Sequence, residues 1–264
     1  MMKLDSVTLR LRRTRCCATF LAPHGGWAVC VGAAETVLGE CPGIEAAMFS
    51  SFARFALSLR DVEELMLARG IFVSHETIRT WCAKFGPEHA RGLRRRAPEP
   101  GDTWFLDEVF IKIGGIRKYL WRAIDQDGNV LDVLVRSRRN AKAAKRFFGK
   151  LMRKQTPVPV LVLVTDKLAS YVVAHRELMP SVEHRRSKYL NNRAENSHQP
   201  ARQRERAMKF FRSPGAAQRF LAVFSAISPH FQPSRHKLTS SDYRSEMTGR
   251  FATWYDATGV PVAA

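Results

Sequence analysis

The chain has 264 residues, 45% hydrophobic and 25% charged, which allows a large buried core and excludes a disulfide-stapled miniprotein or wholesale disorder. Its 43 Lys and Arg against 24 Asp and Glu leave a net charge of +19, which points to a polyanionic partner, nucleic acid before an anionic membrane, with a merely basic soluble protein as the bland alternative. The charge is uneven: residues 1–100 hold 14 basic and 10 acidic side chains, residues 136–154 nine basic and no acidic ones, and residues 176–219 eleven basic and four acidic.

Residues 1–43 show no clean period and read as an irregular leader. Cys16, Cys17, Cys30 and Cys41 lie there and Cys82 follows, with no CxxC pair, so reduced thiols are expected ahead of a zinc knuckle. The stretch from Arg12 to Ala34 imitates a signal peptide, but Pro23 to Gly26 interrupt it, which argues against both export and a membrane span. From Ile44, the residues Ala47, Phe49, Phe52, Phe55 and Ala56 fit one face of a helix ending near Leu57. Ser58 and Asp61 read as a capping box for a second helix through Val62, Leu65 and Met66, stopped by Gly70. Ser74 N-caps a third helix with Ile78, Trp81 or Cys82, and Phe85 inward, ended by Gly86-Pro87. The last two helices make residues 44–90 a helix-turn-helix candidate that turns His75, Glu76, Arg79, Thr80 and Lys84 outward, groups suited to a major groove and its phosphates.

Residues 91–101 read as a basic, then proline-rich linker. Trp104 to Ile113 is a buried-strand run, Gly114-Gly115 a hairpin turn, Arg117 to Ile124 a second strand, and Val130 to Val135 a third. A helix over Ala141 to Lys154 turns Ala144, Phe147, Phe148 and Leu151 inward, and Val160 to Val164 is an apolar strand of the parallel kind. The aromatics Trp104, Tyr119, Trp121 and Tyr171 read as core side chains ahead of base-stacking platforms. The β-β-β-α-β-α order over 102–231 implies an α/β fold with a mixed sheet, the ribonuclease H-like topology. A helix starting at Ser213-Pro214 follows, and residues 232–264 read as a loosely ordered polar tail anchored by Phe251 to Trp254.

Asp107 is an acid in an otherwise apolar strand, and Asp166 directly follows another, where α/β sheets carry reactive groups. On neighbouring strands the two would repel each other unless a hard divalent cation, Mg²⁺ or Mn²⁺, neutralised them. Glu195, in a basic setting, is the third acid. Each acid alone is compatible with a turn or a surface ion pair; the ordered trio in this topology points to chemistry. Glu195-Asn-Ser-His198 also matches half of a di-iron motif, but a single copy does not make that site.

From about Ile44 to Thr258 the chain resembles the insertion-sequence-six family of DDE transposases. The resemblance rests on Trp104-Phe-Leu-Asp107-Glu-Val-Phe-Ile-Lys112, Lys118-Tyr-Leu-Trp-Arg-Ala-Ile-Asp125, Asp127-Gly-Asn, Asn140-Ala-Lys-Ala-Ala-Lys-Arg-Phe147, Thr165-Asp166-Lys167, Ser170-Tyr171, Glu183-His-Arg185 and Lys188 through Glu195 to Gln199. It implies Asp107, Asp166 and Glu195 as catalytic, metal-binding residues for two Mg²⁺ or Mn²⁺ ions, with Arg202 as the accompanying basic residue. It further implies cleavage of double-stranded DNA at terminal inverted repeats, joining of 3′-hydroxyl ends to target DNA, a homodimer or larger synapse, and a bacterial cytoplasmic, nucleoid-associated location without membrane contact. DNA contacts are then expected from Ser74, His75, Arg79, Thr80, Lys84, Arg138, Arg139, Lys142, Lys145, Lys167, Arg185, Lys188, His198 and Arg202. Residues 1–43 do not match the family and read as an altered start. The alternatives are a catalytically inactive transposase remnant or helix-turn-helix regulator, and a ribonuclease H-like nuclease without strand transfer.

Overall fold

The computed structural model describes residues 42–55, 57–155, 160–187, 189–208, 211–233 and 235–260, together with a two-residue antiparallel pairing of β1 (Phe20–Leu21) with β2 (Trp27–Ala28). Cys16, Cys17, Cys30, Cys41 and Lys188 lie outside the described residues, as does most of the signal-like stretch. Among the described residues no helix is long and apolar enough to cross a membrane.

Four helices precede the sheet: α1 (Pro42–Arg54), α2 (Leu59–Leu67), α3 (His75–Lys84) and α4 (Gly86–Arg96). Both halves of the expected capping box form at α2, with Asp61 N donating to Ser58 Oγ and Ser58 N donating to Asp61. Ser74 Oγ accepts from Thr77 N at the start of α3. Gly86-Pro87 does not end the helical region, as the sequence suggests, but opens α4; proline is tolerated in a first turn because its missing N–H has no partner there. Most of the expected linker is therefore the second half of α4, which buries His89, Ala90 and Leu93.

The C-terminal segment also differs from expectation. In place of a loose tail, α10 (Ser240–Thr258) is capped by Thr239, whose Oγ1 accepts from Asp242 N, and ends at Gly259 in the left-handed conformation. Its Trp254 is fully buried and donates to Ala46 O at 3.1 Å, so the helical core is built from both ends of the chain. Two buried side chains, Met247 and Trp254, carry this packing.

Between the helices runs a five-stranded sheet of order β5-β4-β3-β6-β7, formed by β3 (Thr103–Ile113), β4 (Ile116–Asp125), β5 (Val130–Arg136), β6 (Val162–Thr165) and β7 (Glu183–Arg186). The first three are antiparallel, whereas β6 and β7 run parallel to β3, which is the ribonuclease H-like arrangement. Gly114 and Gly115 both have positive φ, 56° and 77°, as a two-residue hairpin turn requires. Helix α5 (Ala141–Gln155) crosses from β5 to β6 and α6 (Ala169–Leu178) from β6 to β7; both cover one sheet face around Trp104, Trp121, Phe147, Phe148 and Tyr171. The other face packs on α7 (Asn192–Ser197), α8 (Gln199–Ala207) and α9 (Pro214–Ile227).

Candidate active site

The register of β3 and β6 brings the two predicted aspartates together. Leu106 pairs with Thr165 at the last step of that ladder, so Asp107 and Asp166 follow side by side at the carboxyl end of β6. Strand β3 continues beyond β6, and α8 covers its open edge, Glu205 Oε1 accepting from Lys112 N at 2.8 Å. The resulting cavity is lined by Asp107, Glu108, Phe110, Asp166 and, from α7 and α8, Glu195 and Arg202.

One carboxylate oxygen from each of Asp107, Glu108 and Asp166 lies within 4.8 Å of the others. Burial, then the charges of Glu108 and Asp166, push the Asp107 carboxyl up to about 7. Glu108 was not singled out from the sequence. Its side chain is 1% exposed and raised by burial, and it accepts from Tyr171 Oη and from Arg139 Nε. Arg139 also donates to Asp166 Oδ2 at 3.2 Å, bridging the two acids. The predicted third acid, Glu195, lies outside this close group. It is exposed on α7 and lines the cavity, and its side chain has no hydrogen bond or ion pair among the described residues.

Beneath Asp107 lies a buried polar layer. His198 is 1% exposed, with Nε2 3.5 Å from Asp107 Oδ2. Burial, aided by the positive charges of Arg122 and Arg202, lowers His198 to about 3, so it is neutral and the contact is no ion pair. This corrects the expectation of a phosphate contact: a histidine this buried cannot reach DNA. Arg122, opposite Asp107 in the β3–β4 register, is fully buried and donates to Ser225 Oγ at 3.4 Å.

The comparisons with known proteins agree with this geometry. Residues 101–234 match a family profile of the IS240 transposase group described as a DDE domain. The transposase for insertion sequence element IS257 in transposon Tn4003 of Staphylococcus aureus is 31% identical over 192 residues, covering 71% of this chain and 84% of that protein. The chain belongs to the insertion-sequence-six family of DDE transposases. The transposase for insertion sequence-like element IS431mec of Staphylococcus aureus (strain Mu50 / ATCC 700699) matches with the same identity and coverage. Among solved structures, the Mos1 strand transfer complex superposes at a TM-score of 0.36 and 10% identity, covering 83% of this chain and 77% of that one, too distant to add to the sequence relation. As a DDE transposase the protein is a DNA strand-transfer enzyme, and its all-oxygen carboxylate cluster suits the divalent metal that the family uses.

The remaining predicted DNA contacts of this transposase fall into distinct settings. On α3, Arg79, Thr80 and Lys84 are exposed, whereas Ser74 is engaged in capping and His75 in a 3.0 Å contact with Glu63. Arg138, Lys142 and Lys167 are exposed, and Lys167, next to Asp166 in sequence, lines the cavity. Lys145 pairs with Glu177, and Arg185 with Glu183 at 2.7 Å. Lys150 and Lys154 both pair with Asp132, so part of the basic block at 136–154 neutralises the protein itself.

Proposed function

We propose that this transposase cuts DNA at the terminal inverted repeats of its element and joins the 3′-hydroxyl ends to target DNA, at one site formed by Asp107, Asp166 and Glu195. The observation that carries the reading is the convergence of Asp107, within β3, and Asp166, just past the carboxyl end of the parallel strand β6, with the Glu195 side chain unpartnered on the wall of the same cavity. A crowded set of oxygen donors in which Asp107 resists ionisation fits two hard divalent ions, Mg²⁺ or Mn²⁺. Bound there, such ions would neutralise charge on the attacking and leaving oxygens of an in-line displacement at phosphorus. The chain's own groups supply position. Neutral His198 backs the Asp107 carboxylate without adding charge, and the Tyr171–Glu108–Arg139 network holds Asp166 from the other sheet face. Lys167 and Arg202, which line the cavity without an ion pair among the described residues, offer cations to the phosphates that flank the cut.

In this reading the helical unit of α1–α4, packed with α10, contacts the element ends through α3, and residues 102–231 carry out the chemistry. Two ends must be held at once, which calls for a homodimer or larger synapse, working on the bacterial chromosome in the cytoplasm.

Two isosteric variants separate the roles of the nearby glutamates. Glu195→Gln is expected to reduce Mg²⁺-dependent cleavage by about a hundredfold or more, as loss of a direct metal ligand does. Glu108→Gln, which weakens the contacts with Arg139 and Tyr171 without removing a direct ligand, is expected to cost about tenfold and to lower stability. Gel assays of cleavage with urea melts of both variants check this. The opposite ranking would make Glu108 the third ligand.

A further inference from the structure

We propose that Phe110, with Tyr119 beside it, is a stacking platform for one unpaired base of the DNA strand being processed; this rests on the strand-cutting role proposed for the adjoining carboxylates. Phe110 is read in the sequence as one more apolar residue of a buried strand, yet it is 51% exposed. The reason lies in the length of the β3–β4 hairpin. Helices α5 and α6 cover its face as far as Tyr119, which is half-buried against their cluster, and the hairpin projects past that cover at Phe110 and Lys112. Side chains on one face alternate along each strand, and the register sets Phe110 against Tyr119 and Tyr119 against Arg136. Lys112 and Arg117, paired with each other, continue the same face toward the turn. Both aromatic residues line the cavity that holds Asp107, Asp166 and Glu195.

The surroundings select the occupant. The guanidinium carbons of Arg117 and Arg202 lie 5.0 and 5.8 Å from the Phe110 ring centroid, and neither arginine forms an ion pair among the described residues. An exposed aromatic ring with two cations against it, whose acidic neighbour on the same face, Glu108, is already paired with Arg139, is complementary to a planar ring on a phosphate chain. A protein or lipid partner would use the apolar surface but leave those cations uncompensated. Within intact duplex DNA each base has both faces covered by its neighbours, so only a base out of the stack can use Phe110. The strip runs directly into the carboxylates, which puts that base next to the phosphate to be attacked.

The test uses the full chain with Ca²⁺ in place of Mg²⁺, so that binding is read without cutting. The probes are a blunt duplex and a forked duplex of the same sequence with 2-aminopurine as its first unpaired nucleotide. Wild type is expected to bind the fork about tenfold more tightly than the blunt duplex and to quench the 2-aminopurine. Phe110→Ala should lose both the preference and the quenching, with blunt-duplex affinity unchanged, and Phe110→Trp should keep both. A fork preference absent from wild type, or retained by Phe110→Ala, overturns the proposal. Because no cutting is needed, a chain that shows the Phe110-dependent fork preference but fails to cleave in Mg²⁺ upholds the platform and refutes the proposed cutting function.

Discussion

Asp107→Asn is expected to lose DNA cleavage and joining by at least about a thousandfold, and at the same time to make the metal-free protein more stable at pH 8. Both effects come from one arrangement. Asp107 is held against Asp166 by the strand register; burial, and after it the charges of Glu108, Asp166 and Glu195, raise its carboxyl from 3.8 to about 7. A carboxyl raised on folding contributes stability that is fully present below its unfolded value and is lost as pH climbs through the folded one. The metal-free wild type should therefore weaken between about pH 4 and pH 7, by an amount of the order of 2–4 kcal/mol. Asparagine removes the charge and with it that slope, while DNA binding persists because the phosphate-facing cations are untouched. Thermal melts across pH, with and without Mg²⁺, check this: the metal should raise the wild-type melting temperature at pH 8 and leave Asp107→Asn nearly unchanged. A variant that is less stable than wild type at pH 8 would show that the acids are already compensated by Arg139 and Arg122.

Arg204→Met is expected to destabilise the fold by about 3–5 kcal/mol, far more than the loss of one surface charge. Arg204 is 1% exposed, and its guanidinium reaches from α8 to the end of α1, donating to the carbonyls of Phe52, Phe55 and Leu57. It also stacks 3.8 Å from the Phe52 ring centroid. The last carbonyls of a helix have no partner inside it, and here one planar fork satisfies several at once. Methionine fills the space but leaves those acceptors buried and unpaired. Lysine keeps the charge but has no fork to share among them, so Arg204→Lys should recover less than half of the loss in urea melts. Since α8 follows directly on α7, which carries Glu195, activity should fall further than stability alone explains at temperatures where both variants remain folded.

What could be read from the sequence followed the strength of local patterning. Asp107 and Asp166 stood out because each interrupts or ends an apolar strand, and the parallel pairing that joins them follows from the crossover helix between their strands. The capping box at Ser58, the N-cap at Ser74 and the double-glycine turn are equally legible. Strand β7 was not, because Glu183–Arg186 is polar throughout; it forms an edge whose pairing with β6 comes from tertiary context. Gly86-Pro87 reads alike as a stop and a start, and only the burial of His89, Ala90 and Leu93 decides for a new helix. In α10 Met247 and Trp254 are buried and Tyr243, Phe251 and Tyr255 pack beside them at helical spacing, a period diluted by the serine, threonine and glycine between them, and Thr239, Asp242 and Gly259 mark its ends. His198 and Phe110 misled in opposite directions, a polar residue that is buried and an apolar one that is exposed. Both depend on where neighbouring helices stop, which no local pattern records.

The central claim, that Asp107, Asp166 and Glu195 form one site for cutting and joining DNA, is tested most directly by incubating the purified chain and Asp166→Asn with end-labelled DNA carrying the termini of the encoding element in Mg²⁺. The expected result is nicks leaving 3′-hydroxyl ends at the repeat boundary, followed by joined products, from wild type only. Equal products from Asp166→Asn, or DNA bound but never cut by wild type, would contradict it.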